Sequence, residues 1–455
     1  MNRQGDRWTA EQVLALAPDA ASSKAGSRLG VAGPWSEAGC APGAVWGLCK
    51  GSGSKPYQTV VDTAGLAYKC SCPSRKFPCK HALGLLLLRA TDERAVPDGA
   101  APDWAEQWLE ERRQRTEKRG AEGSPTSGGP SDPEAARRRA ERRAERVTAG
   151  AMELEQRLAD LLRGGLAAVE QGGYGHWEET AARMVDAQAP GLASRVRELG
   201  AIPGSGPGWP VRLLEECALL HLLDHAWLNR DHLPKPLAAT VRTRIGLPVS
   251  AEGTAVRDSW LVLAQYDTQD GKLTTRRAWL YGQRSQRTAL VLDFGAAGRA
   301  PGLALPVGLA IDAELTPYPG AGQLRAALGE RFGAPAPIEA PPPGHSAAEA
   351  LDLYGRALRD DPWLDFWPVT LSGVIPIPAE DGWQLADAWG SPRAEGPGGG
   401  SALPVPSAAL SRSGLWKLAA ISGGAPVTVF GTCGHRGFTP LAAWAQGTAE
   451  TVPLI

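Results

Sequence analysis

Hydrophobic and polar positions change their spacing along the chain, and this spacing predicts the order of the elements. From Trp260 to Phe294 the apolar residues form short runs rich in β-branched and aromatic side chains, broken by a turn at Asp270-Gly271, which is typical of strands. Between residues 133 and 240, apolar residues such as Leu154 and Leu158 recur three or four positions apart, which predicts helices. The expected fold class is therefore α+β, with a central helical region and a C-terminal region rich in strands.

A strand–turn–strand–helix pattern precedes these two regions. The β-prone runs are residues 56–62 and 66–70, and they flank Thr63-Ala64-Gly65, where the glycine suits a tight turn. From Lys80 onward the residues are strong helix formers, and leucines recur at helical spacing. The pattern predicts a small ββα unit near the N-terminus.

The composition limits the location and the partners of the protein. The chain has 455 residues, of which 43% are hydrophobic, so it can form several domains with substantial cores. Its longest aliphatic run, Leu85–Leu88, is far shorter than the ~18 apolar residues of a membrane span. The chain opens with the polar run Met1–Arg7, unlike a secretory signal, so we expect a cytoplasmic protein without membrane partners. Because the net charge is −1, any attraction to nucleic acid has to be local.

Four residues of metal-ligand type, Cys70, Cys72, Cys79 and His81, lie within one stretch of twelve positions. Three thiolates and one imidazole form the ligand set of a closed tetrahedral zinc site. The six residues between the two pairs include two prolines, which suits a chain reversal that brings the pairs together. We therefore expect one structural zinc ion. The alternative is a disulfide with a spare thiol, which is rare in reducing cytosol.

These ligands and their surroundings resemble the SWIM-type zinc finger. The similarity covers residues 45–90, and a looser similarity extends to bacterial, large multidomain proteins of the family. The resemblance implies that a β-hairpin carries the Cys-x-Cys pair and that a helix begins near the Cys-x-His pair. It also implies that the module binds protein or nucleic acid. Bacterial members of this type accompany MoxR-type ATPases and von Willebrand factor A (VWA) proteins, which implies a protein-interaction adaptor within such an assembly.

Changes in composition predict five segments. They are the SWIM zinc-finger domain at 1–95 with its core at 45–90, a partly disordered linker at 96–132, a helical domain at 133–240 that opens with an Arg-rich helix, a β-rich region at 241–335, and an α+β region at 336–455. The linker prediction rests on the Gly/Ser/Pro-rich run 122–130, a composition typical of flexible chain.

A second group, Cys217, His221 and His225, has the i, i+4, i+8 spacing of one helix face. Such a face can bind a metal, but leucines surround these residues and the glutamate of a zincin motif is missing. Packing in a helical core therefore explains them better than a second metal site does.

The sequence contains neither a phosphate-binding glycine loop nor a nucleophile elbow. We therefore expect no enzymatic activity and nominate no catalytic residue. The alternative is an enzyme whose site lies in residues 240–455 and carries a motif that the sequence does not reveal.

Cations near the predicted zinc site allow two interpretations. Lys69, Arg75, Lys76 and Lys80 could offset the negative charge of a zinc ion bound by three thiolates, or they could contact phosphate. A second basic stretch, residues 137–146, has glutamates interleaved at helical spacing, which favours a solvated helix face over a nucleic-acid patch. The sequence therefore favours protein partners, and nucleic-acid (DNA) binding through the finger remains a weaker alternative.

Overall fold

The computed structural model describes residues 8–51, 53, 55–63, 67–74, 76–121, 133–270, 273–296, 301–380, 382–388, 401–406 and 411–455. Within these residues, strands dominate the N-terminal and C-terminal parts, and helices fill the centre. The predicted α+β class is therefore confirmed. The described residues include no helix that is long and apolar enough to cross a membrane.

The N-terminal unit is an antiparallel sheet covered by helices. Its helices and strands are α1 (Ala10–Leu14), α2 (Ala20–Ser27), β1 (Trp35–Ala41), β2 (Ala44–Cys49), β3 (Tyr57–Asp62), β4 (Ala67–Cys70) and α3 (Lys80–Thr91). The strands pair in the order β1-β2-β3-β4. Because α3 lies between the sheet and the first two helices, leucines on several of its sides are buried, among them Leu83, Leu86 and Leu88. The predicted ββα unit is confirmed as β3, β4 and α3, and residues 64 and 65 of its predicted turn lie outside the described residues.

The next helix, α4 (Asp103–Ala121), lies within the segment predicted to be a linker. Ala105 is fully buried beside Trp46 and Val60 of the sheet, and Arg112 forms an ion pair with Asp62 at 3.1 Å. The first turns of α4 are therefore packed on the sheet and do not form a linker. The sequence analysis missed this packing because the apolar face of α4 contacts a sheet surface that is distant in sequence. Residues 122–132, the Gly/Ser/Pro-rich part of the predicted linker, lie outside the described residues.

The central region is a helical bundle. Its helices are α5 (Pro133–Gly164), α6 (Ala167–Asp186), α7 (Pro190–Ala201), α8 (Trp209–Leu228) and α9 (Lys235–Ile245). Their apolar faces share one core, in which Trp227 is fully buried and its indole Nε1 donates to Thr148 Oγ1 at 3.1 Å. At Gly191 a Cβ atom would lie 1.9 Å from the Arg244 carbonyl oxygen, so only glycine allows α7 and α9 to approach this closely. The predicted central helices are confirmed.

A closed barrel follows the bundle. Its strands are β5 (Val256–Asp270), β6 (Leu273–Gly282), β7 (Thr288–Ala296), β8 (Ala310–Pro317) and β9 (Arg325–Ala336). They close in the order β5-β6-β7-β9-β8, and β7 and β9 run parallel. Strand β5 pairs with both β6 and β8, with a bulge between Val262 and Ala264. Side chains including Trp260, Leu280 and Val291 fill the barrel.

The C-terminal part is a six-stranded sheet with helices on one face and the barrel on the other. The elements are α10 (Ala347–Asp360), β10 (Phe366–Ala379), β11 (Gly382–Asp387), β12 (Ala402–Val405), α11 (Arg412–Ser422), β13 (Val427–Gly434), β14 (Gly437–Trp444) and β15 (Val452–Pro453). The sheet order is β12-β11-β10-β13-β14-β15. Tyr354 of α10 and Leu418 of α11 are buried on one face. Phe430 and Trp444 are buried on the other face, against Trp279 of the barrel. This agrees with the β-rich expectation for the C-terminal half.

Candidate metal centre

The four predicted ligands come from two elements and the loop between them. Cys70 ends β4 and pairs with Thr59 of β3. Cys72 follows two residues later in the loop, and Cys79 is the N-cap of α3. His81 lies in the first turn of that helix. Because β4 and the start of α3 are joined by this short loop, the two pairs meet at one end of the N-terminal sheet.

The ligand atoms form a compact group. One ligand atom from each of Cys70, Cys72, Cys79 and His81 lies within 4.8 Å of the others. The Sγ atom of Cys70 is 3.6 Å from the Nδ1 atom of His81. With Zn–S of ~2.3 Å and Zn–N of ~2.0 Å, tetrahedral coordination places a sulfur and a nitrogen ligand ~3.6 Å apart. The arrangement therefore fits a zinc ion bound by three sulfurs and by Nδ1 of the imidazole.

The protonation chemistry of the three thiols also suits a cation. Hydrogen bonding with Cys79 lowers the pKa of Cys70 to about 4 and that of Cys72 to about 6, although burial opposes both shifts. The same hydrogen bonds raise the pKa of Cys79. Two of the sulfurs thus hold negative charge readily while the third retains the proton that they share. A divalent cation can replace that proton, because metal binding requires the thiolate form.

Neighbouring side chains hold the ligands in place. Thr59 is fully buried, and its hydroxyl lies 3.3 Å from Cys70 Sγ. The ring of Tyr57 packs against the imidazole of His81, with their centroids 4.9 Å apart. The sequence analysis did not single out Thr59 or Tyr57. The hairpin register could have identified Thr59, because the pairing of Asp62 with Ala67 places Thr59 opposite Cys70.

The cations predicted to surround the site do not behave alike. Lys76 forms an ion pair with Asp19 at 2.5 Å, and this hydrogen bond lowers the pKa of Asp19 to about 2. Lys69 and Lys80 are exposed. Arg75 lies outside the described residues. For the lysines that the structure describes, no hydrogen bond joins an ammonium group to a ligand sulfur, so the thiolates are not offset by direct contacts of that kind.

Cys49 lies near the site but outside the ligand group. Its buried thiol donates to the Lys50 carbonyl oxygen at 3.8 Å. Burial, together with the charge of Cys70, raises its pKa to about 11. A neutral thiol at this position leaves the metal with the four ligands predicted from the sequence.

The second predicted group does not converge on a metal position. Cys217 is buried in the core of the bundle, whereas His221 is exposed and its Nδ1 lies 2.6 Å from Glu155 Oε1. The rings of His221 and His225 stack, with their centroids 5.9 Å apart. Among the described residues, Cys70, Cys72, Cys79 and His81 are the group that meets the distance limit for shared metal ligation. Core packing of Cys217 and the contact of His221 with Glu155 therefore account for these residues of the bundle.

Comparisons with known families agree with the geometry. Residues 57–90 match the family model of the SWIM zinc finger, and residues 142–245 match that of the SWIM-associated four-helix bundle domain. Neither the curated proteins nor the solved structures give a significant match. The chain thus carries a SWIM zinc finger with one structural zinc site, held by Cys70, Cys72, Cys79 and His81. The resemblance to this type of finger is confirmed.

Proposed function

We propose that the protein is a non-enzymatic adaptor in which the zinc finger organises the N-terminal unit and the helical bundle docks a protein partner. The observation that carries this proposal is a cluster of exposed aliphatic side chains on two neighbouring helices. Of the twelve exposed large hydrophobic residues among the described residues, five lie on α5 and α8. They are Met152, Leu162, Val211, Leu214 and Leu222. Exposed apolar patches of this kind are typical of interaction sites.

The two helices present these side chains along a shared surface. They are antiparallel, because Trp227 of α8 bonds to Thr148 of α5 while His221 contacts Glu155. That register places Leu162 of α5 at the level of Leu214 of α8. The contact between His221 and Glu155 crosses the middle of this surface, so polar groups interrupt the aliphatic row.

Within α8 the exposed residues follow one helical stripe. Val211, Leu214, Ala218 and Leu222 are spaced by three or four positions and are all exposed, whereas Leu213, Leu220 and Leu223 face the core. An apolar stripe next to a neighbouring helix forms a groove, and an amphipathic partner helix can bind in such a groove through its own apolar face. The partner we propose is therefore a protein segment with an apolar helical face.

The zinc finger contributes by fixing the N-terminal unit against the barrel. The Gln12 side chain donates to the Pro335 carbonyl oxygen at the end of β9. The hydroxyl oxygen of Tyr68 in β4 and a guanidinium nitrogen of Arg331 in β9 are buried, and burial lowers the pKa of Arg331 to about 10. A finger held in this way is a structural part of the body of the protein, which supports a folding role for zinc.

The absence of enzymatic activity is part of the proposal. The barrel has a cavity of about 20 Å³ at one end, lined largely by apolar side chains including Val256, Trp260 and Leu315. A volume of this size holds about one water molecule. The character of this cavity supports a packing defect at the barrel end more than a substrate site.

The family resemblance points to a partner assembly that contains a MoxR-type ATPase and a VWA protein. The test is co-purification of the full chain with such an ATPase and VWA protein from the same genome, followed by a binding titration. Leu214→Glu and Leu222→Glu should each weaken the complex, because each places a carboxylate in the apolar interface. Val185→Glu is the matched control, since Val185 is also an exposed aliphatic residue but lies on α6. A complex that tolerates both α8 variants, or no complex at all, contradicts the proposal.

Nucleic-acid (DNA) binding through the finger is the second candidate. The exposed ammonium groups of Lys69 and Lys80 beside the zinc site favour it. With so few cations the affinity for duplex DNA should be low and should fall steeply with salt, at ~0.9 logarithmic units per phosphate contact. The double substitution Lys69→Ala and Lys80→Ala should reduce that slope by about two. Tight, sequence-selective binding at physiological salt would instead replace the adaptor proposal.

A further inference from the structure

The topology of the barrel is that of a known ligand-binding architecture. A long, bulged first strand that pairs with two others, and a third strand parallel to the fifth, define the five-stranded Greek-key barrel of OB folds. In that architecture the outer face of the second and third strands binds oligonucleotides or oligosaccharides. The corresponding strands here are β6 and β7. Since a fold alone does not fix a function, the residues on this face have to carry the argument.

One half of the outer face is closed by the chain itself. Trp279 of β6 and Leu290 of β7 are buried in the same cluster as Phe430 and Trp444 of the C-terminal sheet. The ring centroids of Trp279 and Phe430 are 6.1 Å apart in an edge-to-face arrangement. This half of the face is an internal interface and is not accessible to a ligand.

The other half, which we call the open half, extends toward the end of β6 where Leu273 lies. Residues that pair across β5, β6 and β7 form two rows on this open half. The first row is Tyr266, Arg277 and Leu292, and the second is Thr268, Thr275 and Phe294. The first row borders the closed half, because Tyr266 and Leu292 are partly buried against its cluster. All six lie on the outer face, because side chains alternate along each strand and the barrel interior takes the residues between them. Phe294 is 49% exposed and Leu273 is 39% exposed, so apolar surface remains uncovered here.

The open half carries a positive charge without a protein partner. Within the described residues no ion pair or hydrogen bond engages the Arg277 guanidinium. The two nearest carboxylates on these strands are engaged elsewhere: Asp267 binds Arg276 at 2.7 and 2.8 Å, and Asp293 accepts from the Leu303 amide at 2.7 Å. In the described residues the Arg277 guanidinium thus forms no ion pair with a carboxylate. Tyr266 and Phe294 lie in the same two rows, and the ring of Tyr266 also packs against the closed half.

We propose that the open half binds single-stranded nucleic acid, with bases stacked on Tyr266 and Phe294 and a phosphate at Arg277. Aromatic platforms beside a cation are how such strands are bound without sequence preference. The two rings lie two strands and two residues apart, or ~12 Å from the strand spacing and rise, which a short extended strand of nucleotides bridges. A sugar ligand fits less well, because the nearby carboxylates are not available to bind hydroxyl groups. The site lies outside the proposed docking surface of the bundle and is independent of it.

The test is fluorescence anisotropy of the full, zinc-loaded chain with a labelled 20-mer of deoxythymidine at low salt and with a duplex of the same length. We expect the single strand to bind more tightly than the duplex. Phe294→Ala should weaken single-strand binding about ten-fold or more, the effect of losing one stacked base. Because Phe294 is half-exposed, this substitution should leave the thermal unfolding midpoint nearly unchanged. Phe294→Trp should retain binding, since it keeps an aromatic face.

Arg277→Ala separates phosphate contact from structural effects. It should reduce the slope of log affinity against log salt by ~0.7, the value for one phosphate contact on a single strand. Trp416→Ala and Arg242→Ala are the matched controls, because both residues are exposed and lie on helices away from the barrel. The proposal is overturned if the wild-type chain does not bind the single strand at low salt. It is equally overturned if Phe294→Ala binds as well as wild type, or if the lysines of the finger account for the binding.

Discussion

Substitution of Asp224 should make the helical bundle more stable, and the gain should depend on pH. Asp224 lies on α8 with a side chain that is fully buried, and neither carboxylate oxygen has a hydrogen-bond partner. Burial, reinforced by the negative charge of Glu155, raises its pKa to about 8. An unfolded chain has an aspartate pKa of ~3.9. The folded bundle therefore binds a proton that the unfolded chain has already released at neutral pH.

The sign and the size of the effect follow from this difference. Because the folded-state pKa is raised, the protonated carboxyl imposes no charge penalty below pH ~4, and stability is lost as the pH rises from ~4 to ~8. At ~1.4 kcal/mol for each pH unit, the loss at pH 7 is about 4 kcal/mol. Asp224→Asn removes the ionisation while keeping a similar shape. Its advantage over wild type should grow by about 4 kcal/mol between pH 5 and pH 8.

Hydrogen exchange of the α8 amides in the full chain measures this advantage. The ratio of protection factors between Asp224→Asn and wild type at each pH cancels the chemical exchange rate of the amides. A ratio that does not change between pH 5 and pH 8 would refute the burial argument. A variant that is less protected than wild type at pH 8 would refute it as well.

Three further perturbations have defined outcomes. Leu88→Ala in α3 should destabilise the finger by about 2–5 kcal/mol, because Leu88 is fully buried. Hydrogen exchange of the amides of residues 57–90 measures this loss. Leu351→Ala, at an exposed position, is the control. Gly191→Ala should lower the free energy of unfolding by about 1–3 kcal/mol or more, since its methyl group would overlap the Arg244 carbonyl oxygen. A thermal unfolding midpoint equal to that of wild type would contradict the close approach of α7 and α9. His221→Ala combined with His225→Ala should leave the zinc content equal to that of wild type, at one equivalent, in metal analysis. A variant that holds one equivalent less than wild type would indicate a second site in the bundle.

The parts of the fold that could be predicted from the sequence are those governed by neighbouring residues. The four zinc ligands lie within twelve positions of one another, and the hairpin and helix that carry them follow from local β and helix propensity. By contrast, β1 and β2 gave no comparable signal because their strand character depends on pairing, of β1 with β2 and of β2 with β3. The closure of the barrel depends on the parallel contact of Leu290 with Arg325, and such distant pairings leave no local pattern.

The contact partners of individual side chains also could not be predicted from the sequence. Lys76 was expected near the thiolates or at phosphate, yet it pairs with Asp19, a residue 57 positions away. The face of α4 that contacts Trp46 could be recognised as amphipathic, but the sheet that it covers could not be identified. In each case the partner is distant in sequence, and only the three-dimensional fold brings the two residues together. The domain boundaries drawn from composition remain predictions.

The central claim is that one zinc ion, held by Cys70, Cys72, Cys79 and His81, stabilises the finger. Structural zinc contributes roughly 10–16 kcal/mol of apparent binding free energy in small modules. Loss of a ligand should therefore unfold residues 45–90, while the bundle and barrel keep most of their own cores. Cys49→Ser is the matched control, because Cys49 is a buried cysteine beside the site that does not belong to the ligand group.

The measurement is metal content by mass spectrometry of the freshly purified full chain, combined with hydrogen exchange before and after chelation. We expect one equivalent of zinc in wild type and in Cys49→Ser. Cys72→Ser should lose the zinc, and both this variant and the chelated wild type should lose protection across residues 45–90. No zinc in wild type, two full equivalents, or a finger that stays protected after its zinc is removed would contradict the account.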